Sequence, residues 1–179
     1  MSTHFAPRLV LPVSERDHIK GLASAPVTLV EYGDYQCPYC GVANPIVDEV
    51  RRKLGEGLRF VFRNFPLTEM HPHAEHAAEI AEATATHNKF WEMHDMLYAH
   101  QDALDDRHLA EYATLLGVPA SEVKHALAEH AYLDRVREDF MSGVRSGVNG
   151  TPTFFINGVR HDGSYDRESL LAAIADAAR

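Results

Sequence analysis

The two cysteines of this 179-residue chain stand three residues apart, in Cys37-Pro38-Tyr39-Cys40. On a helix that step puts both sulfurs on one face, within reach of the ~5.5–6 Å Cα separation that a disulfide prefers. Such a pair opens and closes with little backbone movement. A cysteine at the start of a helix meets unpaired backbone N–H groups and the positive end of the helix dipole, which favour thiolate over thiol. Cys37 is therefore the expected nucleophile. Cys40, one turn inside, is the expected resolving thiol, which attacks the mixed disulfide that Cys37 forms with a partner. Two other readings compete. Cys-x-x-Cys is also half of a zinc site, although no second Cys-x-x-Cys is present and the metal would have to recruit distant histidines. The third reading is two unrelated buried thiols. Pro38, with its fixed φ and missing N–H, suits the first helical position and favours the redox reading.

A strand before the pair and a helix after it also favour the redox reading. Val27 to Gly33 is short and rich in β-branched and aromatic residues, which predicts a buried strand, with Glu31 as its one acid. From Pro38 to about Leu54, Val42, Ile46, Val47 and Val50 recur at helical spacing, Pro45 is expected to kink the helix, and Gly55-Glu56-Gly57 ends it. Leu58 to Arg63 then completes a β-α-β unit. Between Phe65 and Ser146 Ala, Glu, His and Leu dominate. Helices are predicted over Ala74–Thr86, Phe90–Gln101, Asp106–Leu116, Ser121–Glu129 and Tyr132–Ser146, with a weak capping signal at Ser121. Thr153–Ile156 and Val159–His161 flank Asn157-Gly158, a strong hairpin signal, and a last helix runs from Asp166 to Ala178. Residues 1–25 read as irregular, with a short edge strand over Arg8–Val13.

A formal net charge of −9 sets nucleic acid and anionic lipid aside as partners. The first residues hold neither the roughly 7–15 apolar residues of a secretory leader nor the ~20 of a membrane helix, so a cytoplasmic address is expected. Persistent disulfides are uncommon there, so the cysteine pair calls for a chemical role. Twelve histidines raise a metal question, above all His71, His73 and His76, then His87, His94 and His100. No recognised carboxylate-histidine spacing accompanies them, and they read as solvated or capping groups with no metal bound. Phe90, Trp91, Met93 and Met96 follow helical spacing and read as core. No phosphate loop, Ser-His-Asp pattern or paired carboxylates stand out, and no organic cofactor is implied.

The run Val30-Glu31-Tyr32-Gly33-Asp34-Tyr35-Gln36-Cys37-Pro38-Tyr39-Cys40, together with Gly150-Thr151-Pro152-Thr153-Phe154-Phe155-Ile156-Asn157-Gly158, resembles the DsbA-like branch of the thioredoxin superfamily. His71-Pro72-His73-Ala74 through Lys89-Phe90-Trp91-Glu92-Met93-His94 resembles the helical insertion of that branch. The resemblance implies an α/β thioredoxin fold interrupted by an all-helical insertion domain. Its parts would be an N-terminal extension over 1–24, a thioredoxin-like domain over 25–66 and 147–179, and the insertion over 67–146. It implies a thiol-disulfide oxidoreductase with Cys37 and Cys40 catalytic. Pro38, Tyr39 and Glu31 would modulate them, and Thr151 and a cis Pro152 would face them and bind an extended substrate. Thiol- or disulfide-containing proteins and a recycling thiol system are the implied partners. Related glutathione-dependent transferases and isomerases share the fold but do not need Cys40, and a peptide- or metal-binding module is a further alternative. Tyr39 departs from the histidine of DsbA itself. A phenol brings no positive charge, so Cys37 is expected to be less acidic and the protein less oxidising.

Overall fold

Alternation along one strand decides which side of the sheet carries the chemistry. The computed structural model describes residues 6–179. In β2 (Val27–Gly33), Val27, Leu29 and Glu31 point to one side of the sheet, and Val30 and Tyr32 to the other. The first side packs on α1 (Pro38–Leu54), where Leu29, Phe60 and Phe62 join Cys40, Ala43, Val47 and Val50 in one core. Glu31 therefore lies on the face that meets the cysteine-bearing helix.

β1 (His18–Lys20), β2, β3 (Leu58–Asn64), β4 (Thr153–Ile156) and β5 (Val159–His161) form one mixed sheet, in the order β1-β3-β2-β4-β5. β2 and β3 run parallel in register from Val27 opposite Leu58 to Gly33 opposite Asn64, and the remaining neighbours are antiparallel. A parallel pair needs a crossover, which α1 supplies. Between β3 and β4 come five helices: α2 (Ala74–Ala85), α3 (Phe90–Ala99), α4 (Asp106–Leu115), α5 (Ala120–Ala128) and α6 (Leu133–Arg145). α7 (Arg167–Ala177) closes the chain and adds Leu170 and Ile174 to the α1 side of the core. Phe90 and Met93 are core residues and Trp91 and Met96 pack at its edge, as their spacing predicts. Phe140 of α6 covers the opposite sheet face, on Val30, Tyr32, Val61, Phe65 and Phe155. The architecture is the expected one, a thioredoxin-like order interrupted by helices. Among the described residues no helix is long and apolar enough to cross a membrane.

Three expectations need correction. The edge strand predicted over Arg8–Val13 shrinks to one bridge, Arg8 to Val159, because Pro7 and Pro12 bracket the segment and withdraw their N–H donors. A sheet edge is instead formed by β1, which lies before residue 25 and pairs with β3 from His18 opposite Phe62 to Lys20 opposite Phe60. Ser121 does not cap α5, which begins one residue earlier behind Pro119 without a side-chain cap. The hairpin holds: Asn157 (φ 47°) and Gly158 (φ 77°) both adopt the left-handed conformation that a tight two-residue turn requires.

The largest fully buried side chain of the second sheet face is a cation. Arg63 in β3 donates to both carboxylate oxygens of Asp17, at 2.8 and 3.0 Å, to the carbonyls of Leu11 and Pro12, and to the Tyr32 hydroxyl. Buried charge is tolerable only when paired and hydrogen-bonded in this way. The network fastens the N-terminal segment over the sheet, and Tyr32 extends it to Ser142 of α6 at 2.7 Å.

Candidate active site

Cys37 is the N-cap of α1, in an extended backbone conformation, and Pro38 is the first helical residue. The two residues between the sulfurs, Pro38 and Tyr39, are both exposed, Tyr39 at 67%. Cys37 and Cys40 are free thiols, 3% and 0% exposed. The nucleophile is thus nearly as enclosed as its partner, so the difference between them has to come from electrostatics.

That difference is large. The Cys37 thiol is lowered from its ordinary 9.0 to about 5, chiefly by a hydrogen bond from Cys40, against the cost of burial, with further help from Thr151 and from the backbone N–H groups of Cys40 and Tyr39. Cys40 is pushed well above 9.0 by burial, then by its bond to Cys37 and by the charges of Glu31 and Cys37. One sulfur is held as thiolate and the other as thiol, the division of labour that exchange requires.

Thr151, just before β4, lies beside this pair, and its bond to Pro152 is cis. The Cys37 sulfur lies 3.4 Å from the Thr151 carbonyl oxygen, a contact that only a protonated thiol can donate. The Thr151 hydroxyl is buried with no hydrogen-bond partner and is the group free to donate to the thiolate. Thr151→Val is therefore expected to raise the Cys37 pKa from about 5. The ultraviolet absorbance of the thiolate, titrated in both proteins, checks this; a coincident midpoint would remove the hydroxyl from the account.

Glu31 is 2% exposed, with one carboxylate oxygen lacking any hydrogen-bond partner. Burial first, and then the charges of Cys37 and Asp48, push its pKa from 4.5 up to about 8. Because its charge and those of both cysteines disfavour one another, the three groups titrate as neighbours.

Several groups that hold the site have no local sequence signal. Asp34, 1% exposed, accepts from the backbone N–H of Gln36 and Cys37 with one oxygen and from Leu67 N–H and His71 Nδ1 with the other. It ties the loop before Cys37 to the segment after β3. Gln101 donates to the carbonyls of Tyr35 and Cys37 at 2.9 and 2.8 Å. A Cβ on Gly41 would collide with Gln101 Oε1, so the bare glycine leaves the room that this side chain uses to reach across α1. His94 is buried between the Tyr35 hydroxyl and Asn44, and burial, followed by the charges of Lys20 and His18, lowers its pKa well below 6.5, which leaves it neutral. The histidines thus go to separate places: His71 to Asp34, His94 to the aromatic core, and His76 away from both, to Asp106.

A family model described as thioredoxin matches residues 13–176. Among curated proteins, a Na(+)/H(+) antiporter NhaA 1 of Salinispora arenicola is 47% identical over 94% of this chain, and one of Mycobacterium sp. (strain KMS) is 45% identical over 93%. The chain spans about a quarter of the length of these relatives. Among solved structures, BdbD from Bacillus subtilis superposes with a TM-score of 0.86 at 22% identity, covering 97% of both chains. Wolbachia pipientis alpha-DsbA1 superposes with a TM-score of 0.80 at 19% identity, covering 95% of this chain and 94% of its own.

Proposed function

The chain belongs to the thioredoxin family, with the DsbA-like form of its fold, and from that premise we propose that it is a thiol-disulfide oxidoreductase acting on cysteine-containing proteins or peptides. The observation that carries this reading is the split between an acidic Cys37 and a basic Cys40 on one turn of helix. In the reducing direction the Cys37 thiolate attacks a substrate disulfide, a new Cys37–substrate S–S bond forms, and the displaced substrate sulfur leaves as thiolate. Cys40 then loses its proton and attacks the Cys37 sulfur. That forms the Cys37–Cys40 disulfide and releases the second substrate sulfur, and two electrons have moved to the substrate. The oxidising direction is the reverse. Thr151 presents its backbone beside Cys37, where an extended substrate segment can pair with it as an added strand.

Acidity by itself does not make Cys37 a faster nucleophile. A pKa of about 5 gives about a hundredfold more thiolate at pH 7 than an ordinary thiol, but with a Brønsted slope of ~0.4–0.5 the intrinsic nucleophilicity falls by nearly as much. What remains is the leaving group. A stabilised Cys37 thiolate is easily displaced, so the oxidised form is the reactive one and the reduced form is the stable one. Holding that thiolate ionised at pH 7 is worth on the order of 3 kcal/mol, or roughly 60 mV for a two-electron couple. The potential is therefore expected between the ~−270 mV of thioredoxin and the ~−120 mV of DsbA, whose nucleophiles titrate near ~7 and ~3.5. Equilibration with glutathione, read by the fraction of Cys37–Cys40 disulfide, measures it. A value at or below that of thioredoxin would defeat the oxidising reading, and no detectable exchange would defeat the proposal itself.

A further inference from the structure

We propose that His76, Glu79 and His130 form a binding site for a divalent ion of the zinc class, independent of the cysteine pair. His76 and Glu79 lie one turn apart on α2, and His130 lies in the connection between α5 and α6. One ligating atom from each falls within 4.8 Å of the others. The Nδ1–H of His130 donates to Glu79 Oε1 at 2.9 Å, and the two imidazole centroids are 5.4 Å apart.

Three features mark this cluster out from an ordinary ion pair. Glu79 is completely buried, and its second carboxylate oxygen has no hydrogen-bond partner, a cost that an ordinary core position does not carry. His76 is already oriented: its Nδ1–H donates to Asp106 Oδ1 at 2.6 Å, which leaves Nε2 as the ring nitrogen free to ligate, the carboxylate-histidine arrangement that supports metal-bound imidazole. His130 adopts φ 49°, a left-handed conformation uncommon for a residue with a Cβ, and this turn of backbone is where its ring meets α2.

Two imidazoles and one carboxylate suit a tetrahedral ion of the zinc class, with a fourth position left to solvent. Bonds of ~2.0–2.1 Å place ligand atoms roughly 3.4 Å apart, so the cluster needs only a small adjustment, with the wider separations of up to 4.8 Å closing and the 2.9 Å His130–Glu79 pair opening. Both histidines can supply it, because their side chains are 29% and 45% exposed while Glu79 stays fixed. An ion entering between His130 and Glu79 displaces the proton of that hydrogen bond to solvent. The bound ion would clasp the α5–α6 connection onto α2.

The test uses the full chain with Cys37→Ser and Cys40→Ser, which removes the only thiols, titrated with Co2+ and then with competing Zn2+. One Co2+ per chain is expected, with visible d–d bands, no sulfur charge-transfer band, and displacement by Zn2+. His76→Ala in that background should abolish the bands while preserving the far-ultraviolet circular dichroism, because it leaves the Glu79–His130 bond intact; Asp106→Ala should weaken binding about tenfold. With both cysteines present, His76→Ala should leave thiol-disulfide exchange unchanged. Absence of saturable binding, or binding indifferent to both His76→Ala and His130→Asn, would overturn the site without touching the redox proposal.

Discussion

Cys37→Ser is expected to abolish exchange, whereas Cys40→Ser should accumulate stable mixed disulfides through Cys37. A serine hydroxyl at the helix start is not ionised near neutral pH, so no nucleophile remains, while loss of Cys40 removes only the group that resolves the intermediate. The hydrogen bond between the sulfurs sharpens the test. Cys40 is the first cause of the low Cys37 pKa, and a serine hydroxyl can still donate where an alanine cannot. Both Cys40→Ser and Cys40→Ala should trap partners, but only Cys40→Ala should raise the Cys37 pKa appreciably. Mass spectrometry of trapped species, together with thiolate titration of the three variants, reads both outcomes. Equal trapping by Cys37→Ser and Cys40→Ser would refute the assignment.

Glu31→Gln is expected to slow the resolving step by about a hundredfold, the low end of what a positioned acid-base group contributes. Cys40 has to lose a proton before it can attack, and burial makes that loss costly. Once Cys37 is in a mixed disulfide its negative charge is gone, which removes the second of the causes that raise Glu31. The carboxyl then titrates closer to neutrality and can take the proton from Cys40 through a water. Stability gives an independent reading. Glu31 titrates at about 8 in the folded protein against an ordinary 4.5, so folding takes up a proton across that interval. Its contribution is therefore fully present below pH 4.5 and is lost as pH rises through about 8. The loss runs at about 1.4 kcal/mol per pH unit and amounts to about 3 kcal/mol by pH 7. Glu31→Gln removes that slope. A buried amide costs about 1–3 kcal/mol of its own, so the variant should be no more stable than the parent near pH 5 and more stable near pH 8. Single-turnover kinetics and urea unfolding of the reduced protein across this range decide the matter; superimposable profiles would take Glu31 out of the mechanism.

Much of this was legible in the sequence because it depends on short repeats. The three-residue cysteine step, Pro38 at the first helical position, the short β-branched and aromatic run of β2 and the Asn157-Gly158 turn are local patterns, and each became the element expected of it. Strand geometry groups Glu31 with Val27 and Leu29, but which side of the sheet α1 covers was decided only by the packing. β1 escaped notice because three polar or mixed residues, His18-Ile19-Lys20, have no period of their own, and only pairing with β3 makes them a strand. The short reach of Thr151 to Cys37 joins residues 114 apart and was implied only by resemblance. No resemblance or spacing pointed to Asp34 holding Leu67 and His71, to Gln101 over Cys37, or to Arg63 paired with Asp17. Nor did the sequence distinguish His76 from His71 and His73, its neighbours in the same run, because α2 turns it towards Glu79 and His130 while His71 turns to Asp34. Local sequence determines which backbone conformation a segment takes and which face it buries. Which distant polar groups then meet depends on how those faces stack, and a buried charge or amide finds its partner only when the whole core has closed around it.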